Sequence, residues 1–181
     1  MRWHRRQDAA AQFEATAGAA YAELIEAELR DERIRRGSIE RRGFFITTAA
    51  GTTAGLALTA VPLLLGAGLT IPAESIWFGG FAAIFFAITA LSGNRANAPT
   101  NFDVLKAISL GRVLTPEFFQ AGRSIGSRRA AEVRLEELVS ARKANTRKAT
   151  WLNLGFATHL LGILCVGAAA VLAVGFRLAR E

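Results

Sequence analysis

Apolar residues in this chain are gathered into three long blocks rather than spread evenly along its length. The first block, 43–66, carries no charged residue, and the second covers 75–92. The third covers 149–176 and lies between Lys148 and Arg177. An apolar run of about 18 or more residues is long enough to cross a bilayer as a helix. The pattern therefore predicts three transmembrane helices.

The polar stretches between the blocks complete an all-α integral membrane protein. We predict five segments: a cytoplasmic amphipathic helix over 1–42, a two-span transmembrane hairpin over 43–92, a cytoplasmic loop and basic helical stalk over 93–148, a third transmembrane helix over 149–176 and a short outer tail over 177–181. The turn over 67–74 is so short that the first two spans must run antiparallel. No helix breaker separates the stalk from Trp151, so the stalk is expected to continue into the third span and to fold against the N-terminal helix as a cytoplasmic bundle.

Within these segments we place element ends at particular residues. Gly93 and Asn94 are expected to end the second span, and Gly37 with Ser38 to interrupt the N-terminal helix briefly. The apolar stripe of that helix is predicted to contain Phe13, Ala17, Ala20, Leu24, Ala27 and Ile34, widened by Tyr21, Ile25 and Leu29. Three i,i+4 ion pairs are expected along it: Glu26 with Arg30, Asp31 with Arg35, and Glu32 with Arg36.

The distribution of positive charge predicts the orientation. Nine of the 22 Lys and Arg residues lie in 1–42 and eleven in 93–148, whereas the loop between the first two spans has none. Because cytoplasmic segments are enriched in Lys and Arg, both basic segments are assigned to the cytoplasm. The N terminus is then inside and the C terminus outside. The first apolar run begins too late and is too long for a cleavable signal peptide. The net charge of +7 is thereby explained by topology, and nucleic acid is an improbable partner.

The first span has one face of small and hydroxyl residues. Thr47, Gly51, Gly55 and Thr59 recur every four residues. Such a face lets two helix backbones approach closely, and its hydroxyls can bond to their own helix. Two interpretations stay open: packing against another helix of the same chain, or a seam or pore-facing stripe in a homo-oligomer.

Three further features are candidates for function. His159 is the one ionisable residue inside a predicted span; it is either a structural group satisfied by a hydrogen bond or part of a pore or proton path. Cys165 is interpreted as a small apolar residue at a helix contact. The basic cluster Arg33, Arg35, Arg36, Arg41 and Arg42 is expected to bind lipid head groups or, as the alternative, an anionic nucleotide or nucleic acid.

Motifs for catalysis, cofactors and metals are missing from the sequence. It has no phosphate-binding glycine loop with a lysine, no nucleophile elbow and no histidine metal motif. Three spans without an inverted repeat also provide few walls for a transporter cavity. We therefore expect neither an enzyme nor a cofactor or metal site, and the expected partners are membrane lipids, further copies of the chain and possible cytoplasmic signalling molecules.

Three stretches resemble small bacterial membrane effectors of the Pycsar transmembrane type and the related SLATT-type proteins. They are ERRGFFITTAAGT at 40–52, SGNRANAPTNFD at 92–103 and ARKANTRKATWLNLGF at 141–156. The resemblance is architectural and covers most of the chain. It implies an oligomeric inner-membrane effector of an antiphage defence system, which stays quiet until it is triggered and then disrupts or permeabilises the membrane.

Two other functions remain compatible with the residues themselves. The chain can be a non-catalytic membrane anchor that docks a soluble partner through its cytoplasmic helices. It can also be an accessory subunit of a larger membrane complex. The first alternative predicts copurification with the partner, and the second predicts instability without the other subunits.

Overall fold

Three long helices make up the described part of the chain. The computed structural model describes residues 2–66, 71–99 and 123–179, and their side chains over 19–61, 71–99, 128 and 130–179. Helix α1 runs from Arg2–Gly66, α2 from Ala73–Asn97 and α3 from Arg123–Leu178. Each contains a stretch long and apolar enough to cross a membrane. The prediction of an all-helical chain with three such helices is confirmed.

Prolines set both ends of α2. Pro72 precedes its first residue in an extended conformation, with φ −68° and ψ 150°. At the other end Ala98 has ψ 138°, because Pro99 disfavours the helical conformation in the residue before it. The predicted end at Gly93 and Asn94 was wrong, because α2 continues to Asn97. After its last residue, the Ala98 N–H donates a hydrogen bond to the Asn94 carbonyl at 2.8 Å.

Helices α1 and α3 are both unbroken. The expected interruption at Gly37 and Ser38 does not occur, since α1 passes through both residues. A single glycine in a helix interior costs only about 1 kcal/mol, which packing elsewhere on a long helix offsets. The predicted continuity of the stalk with the third span is confirmed by α3. The part of the predicted cytoplasmic loop and stalk that covers 100–122 lies outside the described residues.

The chain forms two compact units. Unit 1 comprises Met1–Arg36 and Pro99–Thr146, and unit 2 comprises Gly37–Ala98 and Arg147–Glu181. In the described part of unit 1, α1 and α3 lie side by side and parallel, buried at Leu29 and Glu32 on one helix and Leu138, Ala141 and Asn145 on the other. The expected contact between the stalk and the N-terminal helix is therefore present.

The apolar stripe predicted for the N-terminal helix matches the buried face at Leu29 and partly at Ile25, whereas Phe13 and Ala17 lie outside the residues whose side chains are described. Tyr21, Leu24 and Ile34 are 68%, 58% and 66% exposed, whereas Leu29 is buried. The error arose because the buried face of α1 includes a polar residue, Glu32, and a count of apolar residues alone cannot find it. The predicted local ion pairs change too: Glu26 pairs with Arg134 of α3 instead of Arg30.

Unit 2 is a three-helix arrangement in which α2 runs antiparallel to both neighbours. One cluster joins Ile39, Ile46, Ala96 and Leu152, with Trp151 packed against it. A second joins Ala50, Ala82 and Phe86, with Cys165 and Val166 against it. The outward surface remains apolar: among others, Leu56, Leu160, Leu164 and Val171 are each more than 60% exposed.

Glycines let the three helices of unit 2 approach closely. A Cβ built on Gly93 would lie 2.8 Å from the Gly43 carbonyl oxygen and would also meet the Thr47 hydroxyl. A Cβ on Gly162 would lie 2.7 Å from the Phe86 ring. Both sites are closed to larger residues without movement of a backbone or a buried ring.

The first prediction concerns Gly93. Gly93→Ala should lower the free energy of unfolding by about 1–3 kcal/mol, because the methyl group meets the α1 backbone. The matched control is Gly79→Ala in the same helix, where nothing lies within 4 Å. That change should be neutral or stabilise by up to about 1 kcal/mol, since alanine is the better helix former. Denaturation of the detergent-solubilised protein, followed by circular dichroism, measures both; equal effects would contradict the close approach.

Candidate functional site

The small-residue face of α1 contacts another helix only at its first residue. Thr47 is half-buried beside Gly93. Gly51 and Gly55 are exposed, and a Cβ on either would meet nothing within 4 Å. Thr59 is exposed as well. Packing within the chain instead uses the neighbouring face of α1, with Ile39, Gly43, Ile46 and Ala50 buried at intervals of four, three and four. Among the described residues, contacts within one chain therefore explain the small-residue face only at Thr47.

The exposed threonines of this helix are already hydrogen-bonded. The hydroxyls of Thr48 and Thr52 donate to the carbonyls four residues earlier at 3.1 and 3.0 Å. The Thr59 hydroxyl donates to the Leu56 carbonyl at 2.9 Å. A face whose hydroxyls are satisfied by their own helix can lie in lipid or against a second helix without a large desolvation cost.

His159 lies in a polar layer between α2 and α3. Its ring is 5.6 Å from that of Phe86, at an interplanar angle of 56°. Next to it, the hydroxyls of Thr89 and Thr158 are 2.8 Å apart and buried. His159 Nδ1 and Ser92 Oγ are both buried without a hydrogen-bond partner in the described part of the chain. The structural interpretation of His159 requires such a bond, and Nδ1 does not make one there.

The predicted basic cluster is divided by ion pairs. Arg33 contacts Glu137 at 3.4 Å, and Arg35 contacts Glu32 at 3.5 Å. Arg36 is half-buried and has an interaction partner. Arg41 and Arg42 are exposed and make no ion pair with another described residue. Of the five arginines, Arg41 and Arg42 are the two without an ion pair in the part of the chain that the structure describes.

Sequence reasoning missed two interhelical polar contacts. In unit 1, the Asn145 side-chain amide donates to both the main-chain carbonyl and the carboxylate of Glu32, at 2.9 and 2.8 Å. In unit 2, Lys148 donates to Glu40 at 2.7 Å, with the lysine side chain 2% exposed. Asn145 and Lys148 belong to a repeat of buried positions along α3, which is completed by Leu138, Ala141, Leu152 and Gly155. Intervals of three and four residues are typical of a coiled-coil seam. This spacing is the sequence signal that could have predicted the burial of Asn145 and Lys148.

Unit 1 also has a charged groove on its surface. Its volume is about 240 Å³, and it is lined by Glu26, Leu29, Arg30, Arg33, Arg134 and Glu137. Arg134 pairs with Glu26 and Arg33 with Glu137 across it. Arg142 adds contacts to Glu28 and Glu32. These pairs connect α1 to α3 and leave the groove nearly neutral.

The part of the chain that the structure describes contains no group of three His, Cys, Asp or Glu side chains placed to hold a metal ion. Cys165 is a free, half-buried thiol packed against the second apolar cluster. No protein-family model, curated protein or solved structure matches the chain. The architecture itself therefore defines the class: an all-helical protein with three helices suited to span a membrane.

The second prediction tests the Lys148 contact. Lys148→Met should lower the free energy of unfolding by about 2 kcal/mol, because it removes the contact between the buried Lys148 ammonium and the Glu40 carboxylate. The double variant Lys148→Met, Glu40→Gln should recover most of that loss, since the carboxylate that Lys148 neutralised is then also removed. Equilibrium unfolding of both variants in detergent gives the comparison. Additive losses in the double variant would show that the two side chains are not coupled.

Proposed function

We propose that the three helices cross a bacterial inner membrane, with the N terminus in the cytoplasm and the C terminus outside. Three observations support this: the length and apolar composition of the helices, the exposed apolar surface of unit 2, and the concentration of 20 of 22 basic residues in 1–42 and 93–148. The polar helices of unit 1 then belong to the cytoplasm.

Our second proposal is that the chain works as a homo-oligomer assembled through the face Thr47, Gly51, Gly55 and Thr59. The observation behind it is the open space at Gly51 and Gly55. No helix in the described part of the chain covers them, and their lack of side chains permits a close approach by a second copy. The self-satisfied threonine hydroxyls add no polar cost to such a seam.

The proposed activity is disruption of the membrane when the protein is triggered, in the setting of antiphage defence. The resemblance to Pycsar transmembrane and SLATT-type effectors suggests this role. A physical reason supports it: among the described residues, Ser92 Oγ and His159 Nδ1 are buried without hydrogen-bond partners, and an unpaired buried polar group costs about 1–3 kcal/mol. A repacked oligomer in which both groups face a water-filled path would relieve that cost.

A specific observation also favours the anchor as a second candidate. Unit 1 exposes large apolar side chains on otherwise charged helices, with Leu24, Ile34 and Val139 between 58% and 66% exposed. In the cytoplasm such residues are available to a soluble partner. This candidate requires no change in membrane permeability.

The third prediction tests the seam. Gly51→Leu with Gly55→Leu should reduce the particle mass in nanodiscs to that of a smaller species and abolish depolarisation of expressing cells, because two leucines hold the helices apart. Gly167→Leu is the matched control: Gly167 is equally exposed, meets nothing within 4 Å and lies on α3. It should keep both properties. A membrane-potential dye and mass photometry provide the measurements.

Two results would count against this proposal. Intact potential at high expression, with the native chain monomeric in nanodiscs, contradicts both the oligomer and the effector. Depolarisation that survives the double leucine change contradicts the proposed seam, and the effector activity would then depend on another interface. Unchanged circular dichroism of the double variant ensures that misfolding is not the cause.

The fourth prediction separates the anchor from the effector. Replacing Leu24, Ile34 and Val139 together by Gln should leave depolarisation unchanged if the seam is the active element, because none of these residues lies in unit 2. If the chain is an anchor, the same variant should lose a copurifying protein that the native chain retains. Affinity purification with quantitative mass spectrometry, run beside the dye measurement, distinguishes the two.

A further inference from the structure

Exposed arginines from all three helices lie at one end of unit 2. They are Arg41 and Arg42 of α1, Arg95 of α2 and Arg147 of α3, here called the arginine collar. Their neighbours in the chain are in direct contact. Lys148 donates to Glu40 at 2.7 Å, and a Cβ on Gly43 would lie 3.3 Å from that of Ala96. The four residues are thus within about one helical turn of a common level.

The described residues provide no ion-pair partner for the collar. None of its four side chains makes an ion pair or hydrogen bond with another described residue. The acidic residues described in unit 2 are Glu40 and Glu74. Glu40 is bound by Lys148, and Glu74 lies in the first turn of α2, at the opposite end of that helix from Arg95. The carboxyl end of α2 adds a partial negative charge at the collar, which Arg95 in its last turn offsets.

The surroundings of the collar are those of a membrane interface. On one side lies the apolar cluster of Ile46 and Leu152, with the half-buried Trp151 against it. Asn94, Asn97 and Asn153 are exposed near the same level and add neutral hydrogen-bonding groups. Guanidinium groups bind phosphate oxygens in a bidentate manner, and tryptophan is enriched at the head-group level of bilayers.

We propose that the arginine collar binds the phosphates of anionic phospholipids and selects them over zwitterionic lipids. This inference rests on the proposed membrane insertion, but not on the proposed oligomer or effector activity. It assigns to lipid binding two residues outside the predicted basic cluster, Arg95 and Arg147, and removes Arg33 and Arg35, which are held in ion pairs.

Trp151 offers a direct reporter of the lipid beside the collar. The test uses the full chain with Trp3→Phe and Trp77→Phe, so that Trp151 is the remaining tryptophan. The protein is reconstituted in mixtures of phosphatidylglycerol and phosphatidylcholine, in which one or the other has dibrominated acyl chains that quench tryptophan on contact. Comparing the two series gives the relative affinity for the anionic lipid.

The expected result is a preference of about fivefold or more for phosphatidylglycerol, given the attraction of basic residues to anionic leaflets. Replacing all four collar arginines by Gln should bring the ratio close to one. The matched control replaces Arg30, Arg33, Arg128 and Arg134 by Gln, which removes the same charge from unit 1 and should preserve the preference. Replacement of the collar by Lys should keep most of it, because charge remains.

Other outcomes would overturn the proposal. Equal quenching by both lipids in the native background shows insertion without selection. If the preference for phosphatidylglycerol survives replacement of the collar by Gln, the collar does not cause it. If the unit 1 control loses the preference equally, the net charge of the protein is the cause. Competition by millimolar glycerol phosphate would indicate a soluble-phosphate site rather than a lipid site. Protein that fails to float with the vesicles contradicts membrane insertion itself. A selective monomer supports the collar and contradicts only the oligomer.

Discussion

The close approach of α1 and α2 at Gly43 and Gly93 is the constraint on which the rest of unit 2 depends. With no side chain on either residue, the Gly43 carbonyl and the Thr47 hydroxyl occupy the space that a Cβ of Gly93 would take. This contact brings Ile46 and Ala96 into one apolar cluster, to which α3 adds Leu152. In the proposed membrane setting, where helices gain little from the hydrophobic effect, contacts of this kind would supply much of the attraction between them.

Two polar contacts between α1 and α3 are buried in this fold. Glu32 with Asn145, and Glu40 with Lys148, each join α1 to α3 at a position of the coiled-coil seam. A buried ion pair contributes little net stability, but a polar residue at such a position disfavours other registers. We therefore interpret the pairs as alignment contacts between two long parallel helices, which apolar side chains alone would allow to slide.

How much the sequence could predict follows from the range of each interaction. Long apolar runs were recognised because span length is a local property of the sequence, although α2 begins at Ala73 rather than at the predicted Ser75. The buried face of the N-terminal helix was misplaced, because Glu32 is buried only through its contact with Asn145 of a distant segment. The role of Gly93 was mistaken for the same reason: a glycine that ends a helix and one that admits a neighbouring backbone look alike in one sequence.

In the candidate site too, local patterns were visible in the sequence, whereas contacts between distant segments were not. The repeat of Thr47, Gly51, Gly55 and Thr59 was visible in the sequence, but only the structure shows that one member faces the chain's own helices. Equally, the five arginines of the predicted basic cluster could not be sorted from composition. Arg33 is paired with an acid of α3, Glu137, whereas Arg35 is paired with Glu32 of its own helix.

The proline-bounded length of α2 has a consequence for the depth of the protein in a bilayer. From Glu74 to Arg95 it rises about 31 Å, close to the thickness of a hydrocarbon core. Helices α1 and α3, with 65 and 56 residues, are far longer than one crossing requires. Under the proposed insertion, α2 would therefore limit the bilayer thickness that the protein fits: a thicker bilayer would draw Glu74 or Arg95 toward the acyl chains, and a thinner one would require the helices to tilt.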